Sequence, residues 1–181
     1  MISITNKTLQ DLEFTTILET ISEKCNTEIG KQKALQIVPF KDKETLMDAL
    51  LQTSEYVASF SNNNTIPNHG FENLTKDIKF LQIEDSFLEV GTFRKLGHLS
   101  ETTNFLLKYF QKFDEYYPKL NQKASEVEYT KFIIQKIDEV VDKYGEIKDN
   151  ASPDLVNIRR NINLVRGKVN QSFGLALSQY N

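Results

Sequence analysis

A helix-start signal followed by an unbroken apolar seam constrains a chain more than any composition does, and residues 152–181 supply both. Ser152 is a good N-cap, because its hydroxyl accepts a hydrogen bond from an otherwise unpaired N–H of the first turn. Pro153 suits the first helical position, where no N–H is needed and φ is already near the helical value. Asp154 then sets a negative charge on the positive end of the helix dipole. After it, apolar residues fall at Leu155, Ile158, Ile162, Val165, Val169, Phe173, Leu177 and Tyr180, in steps of three and four that make one seam close to a coiled-coil repeat. The spacing predicts one long amphipathic helix to the end of the sequence, docked through Leu155, Ile158, Ile162 and Val165.

Charge is uneven along the chain. The whole sequence of 181 residues has a formal charge of -3, too small for a global field that draws it to nucleic acid. From Asp154 onward, however, one acid stands against Arg159, Arg160, Arg166 and Lys168, a local sum of +3 that leaves -6 on residues 1–153. Four cations on a helix are commonly its solvated face; the sharper reading makes them phosphate contacts. The single cysteine, Cys25, excludes an internal disulfide and fits a reducing compartment. His69 and His98 lie far apart with no cysteine at ligand spacing, so no zinc site is expected. There is no basic n-region before an apolar run, and no window near eighteen uninterrupted apolar residues. A soluble, cytoplasmic chain without contact with membrane is expected.

Upstream, helical spacing dominates. Thr8 opens a short helical turn, and Thr15 or Thr16 is placed to cap the next helix. Thr27 caps a third helix through about Gln36, which Pro39 closes. Asp42 starts a long helix expected to bury Leu46, Leu50, Tyr56, Val57 and Phe60. The Asn62-Asn-Asn64 run, Pro67 and Gly70 mark a loop. A short helix over 71–81 is expected, then a long one from Asp85 or Ser86 through Phe113, with Gly97 at a possible kink. Pro118 interrupts the pattern, and another helix is expected over 126–137. Around Gly145, two very short strands and a tight turn are expected. The fold class is therefore mainly α, with one small β-hairpin just before the last helix.

Enzymatic motifs are missing. Gly30-Lys31 and Gly167-Lys168 lack the glycine five residues earlier and the hydroxyl after, so neither builds a phosphate cradle. No Gly-x-Ser-x-Gly occurs, and the acid pairs Glu84-Asp85 and Asp114-Glu115 have no buried polar company in the pattern. Phe113, Tyr116 and Tyr117 could stack on bases, though core packing is the commoner fate of such residues.

Three stretches go beyond a generic helical pattern. Thr8-Leu-x-x-Leu-Glu-Phe14, Gly30-Lys-x-x-Ala-Leu-x-x-x-Pro39 and Gly145-Glu-Ile-x-Asp-Asn-Ala-Ser-Pro-x-Leu-x-x-Ile-Arg-Arg160 occur in order. Together they resemble the N-terminal part of the MutS family, most closely its second bacterial type, MutS-II. The resemblance implies a multi-helical core like that family's domain III over residues 1–150. It also implies that residues 151–181 begin a lever helix leading toward a DNA-gripping clamp, with the sequence ending before the clamp. On that reading the segment is non-catalytic, holds no cofactor or metal of its own, and couples nucleotide state to DNA grip. The whole protein would be an ATPase using ATP and Mg, homodimeric through its ATPase domain, with a possible Smr nuclease domain. Its partners would be branched or mismatched DNA, with ribosomes or RNA also in view. The mismatch-reading domain of the repair MutS proteins, with its Phe-x-Glu motif, precedes the core. Here Phe87-Leu-Glu89 and Phe113-Asp-Glu115 match the bare pattern inside expected helices of the wrong region, so mismatch recognition is not expected. The alternative is a helical interaction module whose C-terminal seam pairs with a partner helix.

Overall fold

A computed structural model describes residues 4–178. Among them are helices α1 (Asn6–Asp11), α2 (Phe14–Glu23), α3 (Glu28–Leu35), α4 (Lys43–Ala58), α5 (Thr75–Phe80), α6 (Val90–Lys112), α7 (Pro118–Ala124), α8 (Phe132–Val140) and α9 (Pro153–Ser178). The mainly α class stands.

Local chemistry sets several of the helix starts. Thr27 accepts from the Gly30 N–H at 3.0 Å, and Asp42 accepts from the Thr45 N–H at 2.8 Å, as their types and places require. The start of α2 is different. Its cap is Glu13 in the left-handed region at φ 51°, not Thr15 or Thr16, which lie inside the helix. The chain turns directly out of α1, whose end at Leu12 leaves no room for a longer connection.

Two packed groups result. Helices α1, α2 and α3 pack on one another, burying Leu18 and Ala34 where α2 meets α3. Helices α4, α6, α7 and α8 form the second group, with α7 lying between α4 and α6 and α8 against the other part of α6. Gly97 faces that last contact, and a Cβ there would stand 3.6 Å from Ile137 Cδ1, an ordinary packing distance. Helix α6 runs unbroken through Gly97.

The second group is centred on Tyr117, which is wholly buried. Its ring stacks on Tyr109 at 6.0 Å and meets Phe110 edge-on at 6.2 Å. Its hydroxyl donates to the Asn64 carbonyl and lies 3.1 Å from Asn62 Oδ1, and Tyr109 donates to the same carbonyl. The polar Asn62–Asn64 loop is thus pinned by two phenols. Burial, and the second phenol beside it, raise the Tyr109 pKa above the usual tyrosine range. Tyr117 is accordingly a core residue and Phe113 lies half-buried against Tyr109, while Tyr116 remains exposed.

The buried face of α4 overturns the expectation. Leu46, Leu50, Tyr56, Val57 and Phe60 are all exposed. The covered side is the polar ladder Asp48, Gln52, Glu55 and Ser59, which meets α7. Asp48 pairs with Lys119 at 2.7 Å. Both Glu55 carboxylate oxygens accept from the first turn of α7, from the N–H groups of Lys119 and Leu120, each at 2.9 Å. Helix α7 has no side-chain cap of its own, so α4 supplies one.

Other boundaries also shift. The helix expected over 126–137 begins only at Phe132, because Asn104 clamps Thr130 in a loop: its Nδ2 donates to the Thr130 carbonyl at 2.6 Å, and its Oδ1 accepts the Thr130 N–H at 3.3 Å. The helix expected over 71–81 shortens to α5, and α6 starts at Val90 rather than at Asp85 or Ser86. Asp85 takes a left-handed φ of 60°, which no helix interior accepts. Phe87 therefore lies in a non-helical stretch and is 81% exposed, not inside a helix as its spacing suggests.

The hairpin reduces to its turn. A single antiparallel bridge joins Val141 to Ile147, with no longer strand on either side. Asp142 N–H donates to Glu146 O and Lys148 N–H to Val140 O, each at 2.8 Å, around Gly145 at φ 85°. The glycine is required for that φ, and a Cβ there would also displace the Arg94 side chain.

Candidate functional site: an exposed helix and its anchored base

The start of α9 is built as its residue types dictate. Leu155 N–H donates to Ser152 Oγ at 3.1 Å, Val156 N–H to Ser152 O at 3.1 Å, Pro153 is the first helical residue, and Asp154 stands in the first turn. From there the helix is continuous for 26 residues, an arm about 39 Å long.

Its base is tied to the bundle through the hairpin. Arg159 reaches back from the second turn: its Nη1 pairs with Asp149 and its Nη2 donates to Ile147 O at 3.1 Å. On the other side of the turn, Arg94 of α6 donates to Tyr144 O at 3.3 Å. Lys148 Nζ donates to Asp138 O of α8. One short turn thus joins α6, α8 and α9. Asp142 stiffens it, accepting the N–H groups of Tyr144 at 2.9 Å and Glu146 at 2.8 Å. Chiefly the Glu146 N–H, with help from the other turn N–H groups and Lys148, holds the Asp142 carboxyl below the usual aspartate range.

Beyond its second turn α9 rests on nothing among the described residues. Leu155 is half-buried, but Ile158, Ile162 and Val165 are exposed at 54%, 46% and 60%. Val169, Phe173 and Leu177 continue the open seam, and Tyr180 lies outside the described residues. Ile158, Asn161, Ile162, Val165 and Arg166 line a shallow groove of 400 Å³ along it. The four cations do not form one cluster. Arg159 is occupied at the base, whereas Arg160, Arg166 and Lys168 have no ion-pair partner among the described residues. By helical spacing, Arg166 stands at the edge of the seam, Lys168 further round on the other flank, and Arg160 at the back.

Elsewhere, a groove of 620 Å³ runs between α6 and α8 past His98, Glu101, Ile134 and Ile137. Its Lys95 is paired with Glu72 at 2.5 Å and its Arg94 is committed to the hairpin. No group of three or more potential metal ligands is found among the described residues. No helix among them is long and apolar enough to cross a membrane. Sequence reasoning picked out the seam and its cap but missed the Arg94–Tyr144 and Arg159–Ile147 ties; both end on backbone carbonyls, which leave no mark in a side-chain pattern.

No family model matches the chain. Among curated proteins, one called Endonuclease MutS2 from Alkaliphilus oremlandii is 28% identical over 182 residues, covering 96% of this chain and 22% of that protein. A protein of the same name from Acetivibrio thermocellus is 30% identical over 165 residues, covering 86% and 20%. Another from Staphylococcus aureus is 26% identical over 173 residues, covering 92% and 22%. The chain thus spans about a fifth of the length of the relatives it matches. Such similarity, continuous from the first helices to the exposed arm, makes the chain a relative of the MutS family, of its MutS2 type.

Proposed function

We propose that the chain serves as the core and outgoing lever of a MutS2-like, DNA-acting ATPase, carrying nucleotide state from one end of the protein to DNA grip at the other. One observation carries this reading: α9 is a continuous arm, capped at Ser152 and tied at its base to α6 and α8 through a single turn, and open along the rest of its length. A helix held at one end and free beyond transmits a small movement of the bundle over a long distance. The chain's own part in this is positional. ATP and Mg binding, dimerisation and any nuclease step are assigned to other parts of the whole protein. Arg160, Arg166 and Lys168 are the proposed phosphate contacts along the arm. Arg159 is assigned to the base, since Asp149 and Ile147 already occupy its guanidinium.

The test uses the whole protein. Gly167→Pro removes one backbone donor in mid-arm and kinks the helix. It is expected to leave nucleotide hydrolysis and DNA binding each measurable while reducing the effect of ATP on DNA affinity. Unchanged coupling would refute the lever. Reversing Arg160, Arg166 and Lys168 to Glu is expected to weaken DNA binding and flatten its dependence on salt; an unchanged slope removes them from the DNA surface.

A second reading is favoured by the exposure of the seam itself: α9 is a surface on which another helix packs. The two readings are compatible, since an arm gains stiffness when it is paired.

A further inference from the structure

We infer that the groove between α6 and α8 takes an extended segment of a partner polypeptide, one that presents a basic, an apolar and an acidic side chain on one face. The inference concerns a surface away from the seam of α9 and depends on neither the lever nor the DNA reading.

Two helix faces make the groove, whose volume of 620 Å³ lies within the range of about 300–1,000 Å³ usual for ligand sites. Helices α6 and α8 run antiparallel along it: Asn104 meets Thr130 just before α8, Gly97 faces Ile137, and Arg94 meets Tyr144 beyond the end of α8. That order puts Glu101 at one end, Asp138 near the middle, and Arg94 and Lys143 at the other end. Ile134, Ile137 and the buried Val141 supply apolar surface between them. Gly91 adds an opening, since a Cβ there would have nothing within 4 Å.

The charges along the groove are separated rather than neutralised. Lys95 pairs with Glu72, and Asp142 accepts amides of the turn. Glu101, Asp138, Arg94 and Lys143 have no ion-pair partner among the described residues. Arg94 gives one Nη1 bond to Tyr144 O, which leaves the other N–H groups of its guanidinium. A ligand cation therefore suits the Glu101–Asp138 end and an anion suits the Arg94–Lys143 end. Along α6, Glu101 and Arg94 are about 10 Å apart by helical rise. Residues i and i+4 of an extended strand share a face and lie roughly 13 Å apart, within reach of both ends through long side chains, with residue i+2 between them for the apolar surface. A nucleic-acid strand fits less well, because its phosphates would pass the carboxylates of Glu101 and Asp138.

The test is fluorescence anisotropy of labelled peptides against the intact 181-residue chain at low salt. Three probes share an Ala-flanked core: Lys-Ala-Leu-Ala-Glu, Lys-Ala-Leu-Ala-Lys and Glu-Ala-Leu-Ala-Glu. The mixed probe is expected to bind about fivefold tighter than either like-charged one, with the preference falling as salt rises. Glu101→Lys with Asp138→Lys should pass the preference to the Glu–Glu probe. Gly91→Leu fills the opening at a helix position that gains propensity from the change, so circular dichroism should match the parent while all three probes weaken at least tenfold. Equal affinity for the three probes would overturn the inference. So would no binding of the mixed probe, an unchanged ranking in the double lysine variant, unaltered binding to Gly91→Leu, or displacement of the mixed probe by a DNA duplex. Failure here leaves the lever and DNA readings intact, because none of these substitutions lies on α9.

Discussion

Replacing Glu55 with Ala should loosen α7 from the bundle. The side chain stands on α4 and accepts two N–H groups of the first turn of α7, from Lys119 and Leu120 at 2.9 Å each. These are orphan donors at a helix start, and the preceding residue, Tyr117, supplies no side-chain cap. Loss of a cap commonly costs about 1 kcal/mol and up to about 2. Here the acceptor is an ionised carboxylate and both oxygens are used, which places the loss at the upper end; a negative charge at a helix start adds roughly 0.5 kcal/mol more. Water reaches the half-buried Lys119 and Leu120 and recovers part of this, so about 2 kcal/mol is expected. Glu55→Gln retains one acceptor oxygen and should lose about half as much. The two helix groups have separate contacts, so a local probe is preferable to a global melt: amide hydrogen exchange across residues 117–125 at neutral pH. A loss of about 2 kcal/mol corresponds to roughly thirtyfold faster exchange of these amides under native conditions. Protection unchanged within a factor of two in Glu55→Ala would refute the capping argument.

Three further outcomes follow from named contacts. Tyr117→Phe removes the phenol that donates to Asn64 O and should cost about 1–2 kcal/mol, read as a lower urea midpoint at unchanged slope. Gly145→Ala meets both a left-handed φ and the Arg94 side chain; about 1–2 kcal/mol of local stability should be lost, with faster exchange of the Glu146 and Lys148 amides. The Asp142 carboxyl has a depressed pKa in the folded chain, so its contribution is present above the unfolded value and is lost as pH falls through the folded one. The Tyr144 and Glu146 amide resonances should therefore shift below about pH 4, and Asp142→Asn should abolish that dependence.

Local rules were legible wherever a single side chain decides the outcome. Thr27, Asp42 and Ser152 cap as their types demand, and Gly145 turns as a glycine between short extended residues must. What escaped the sequence was the choice of face. In α4 an apolar stripe and a polar ladder run side by side, and periodicity reveals both without saying which one meets α7. The outcome turned on complementary partners elsewhere: Lys119 for Asp48, and the unfilled donors of α7 for Glu55. The start of α8 was misplaced for a related reason. Asn104 holds Thr130 in a loop across a separation that no local pattern encodes. Along α9 the cap, the first helical residue and the stripe were all legible, whereas its exposure was not, because spacing marks a face and carries no record of what covers it.

The turn between α8 and α9 also has a consequence for scale. Three side chains, Arg94, Lys148 and Arg159, hold it to three different helices within a few residues of Gly145. A pivot so close to one end of a stiff rod works as an angular amplifier. With an arm about 39 Å long, a tilt of roughly 5° at the turn sweeps the far end through about 3 Å, the length of one hydrogen bond. Slackening any one of the three ties should therefore be felt more strongly near Ser178 than at the turn where the change was made.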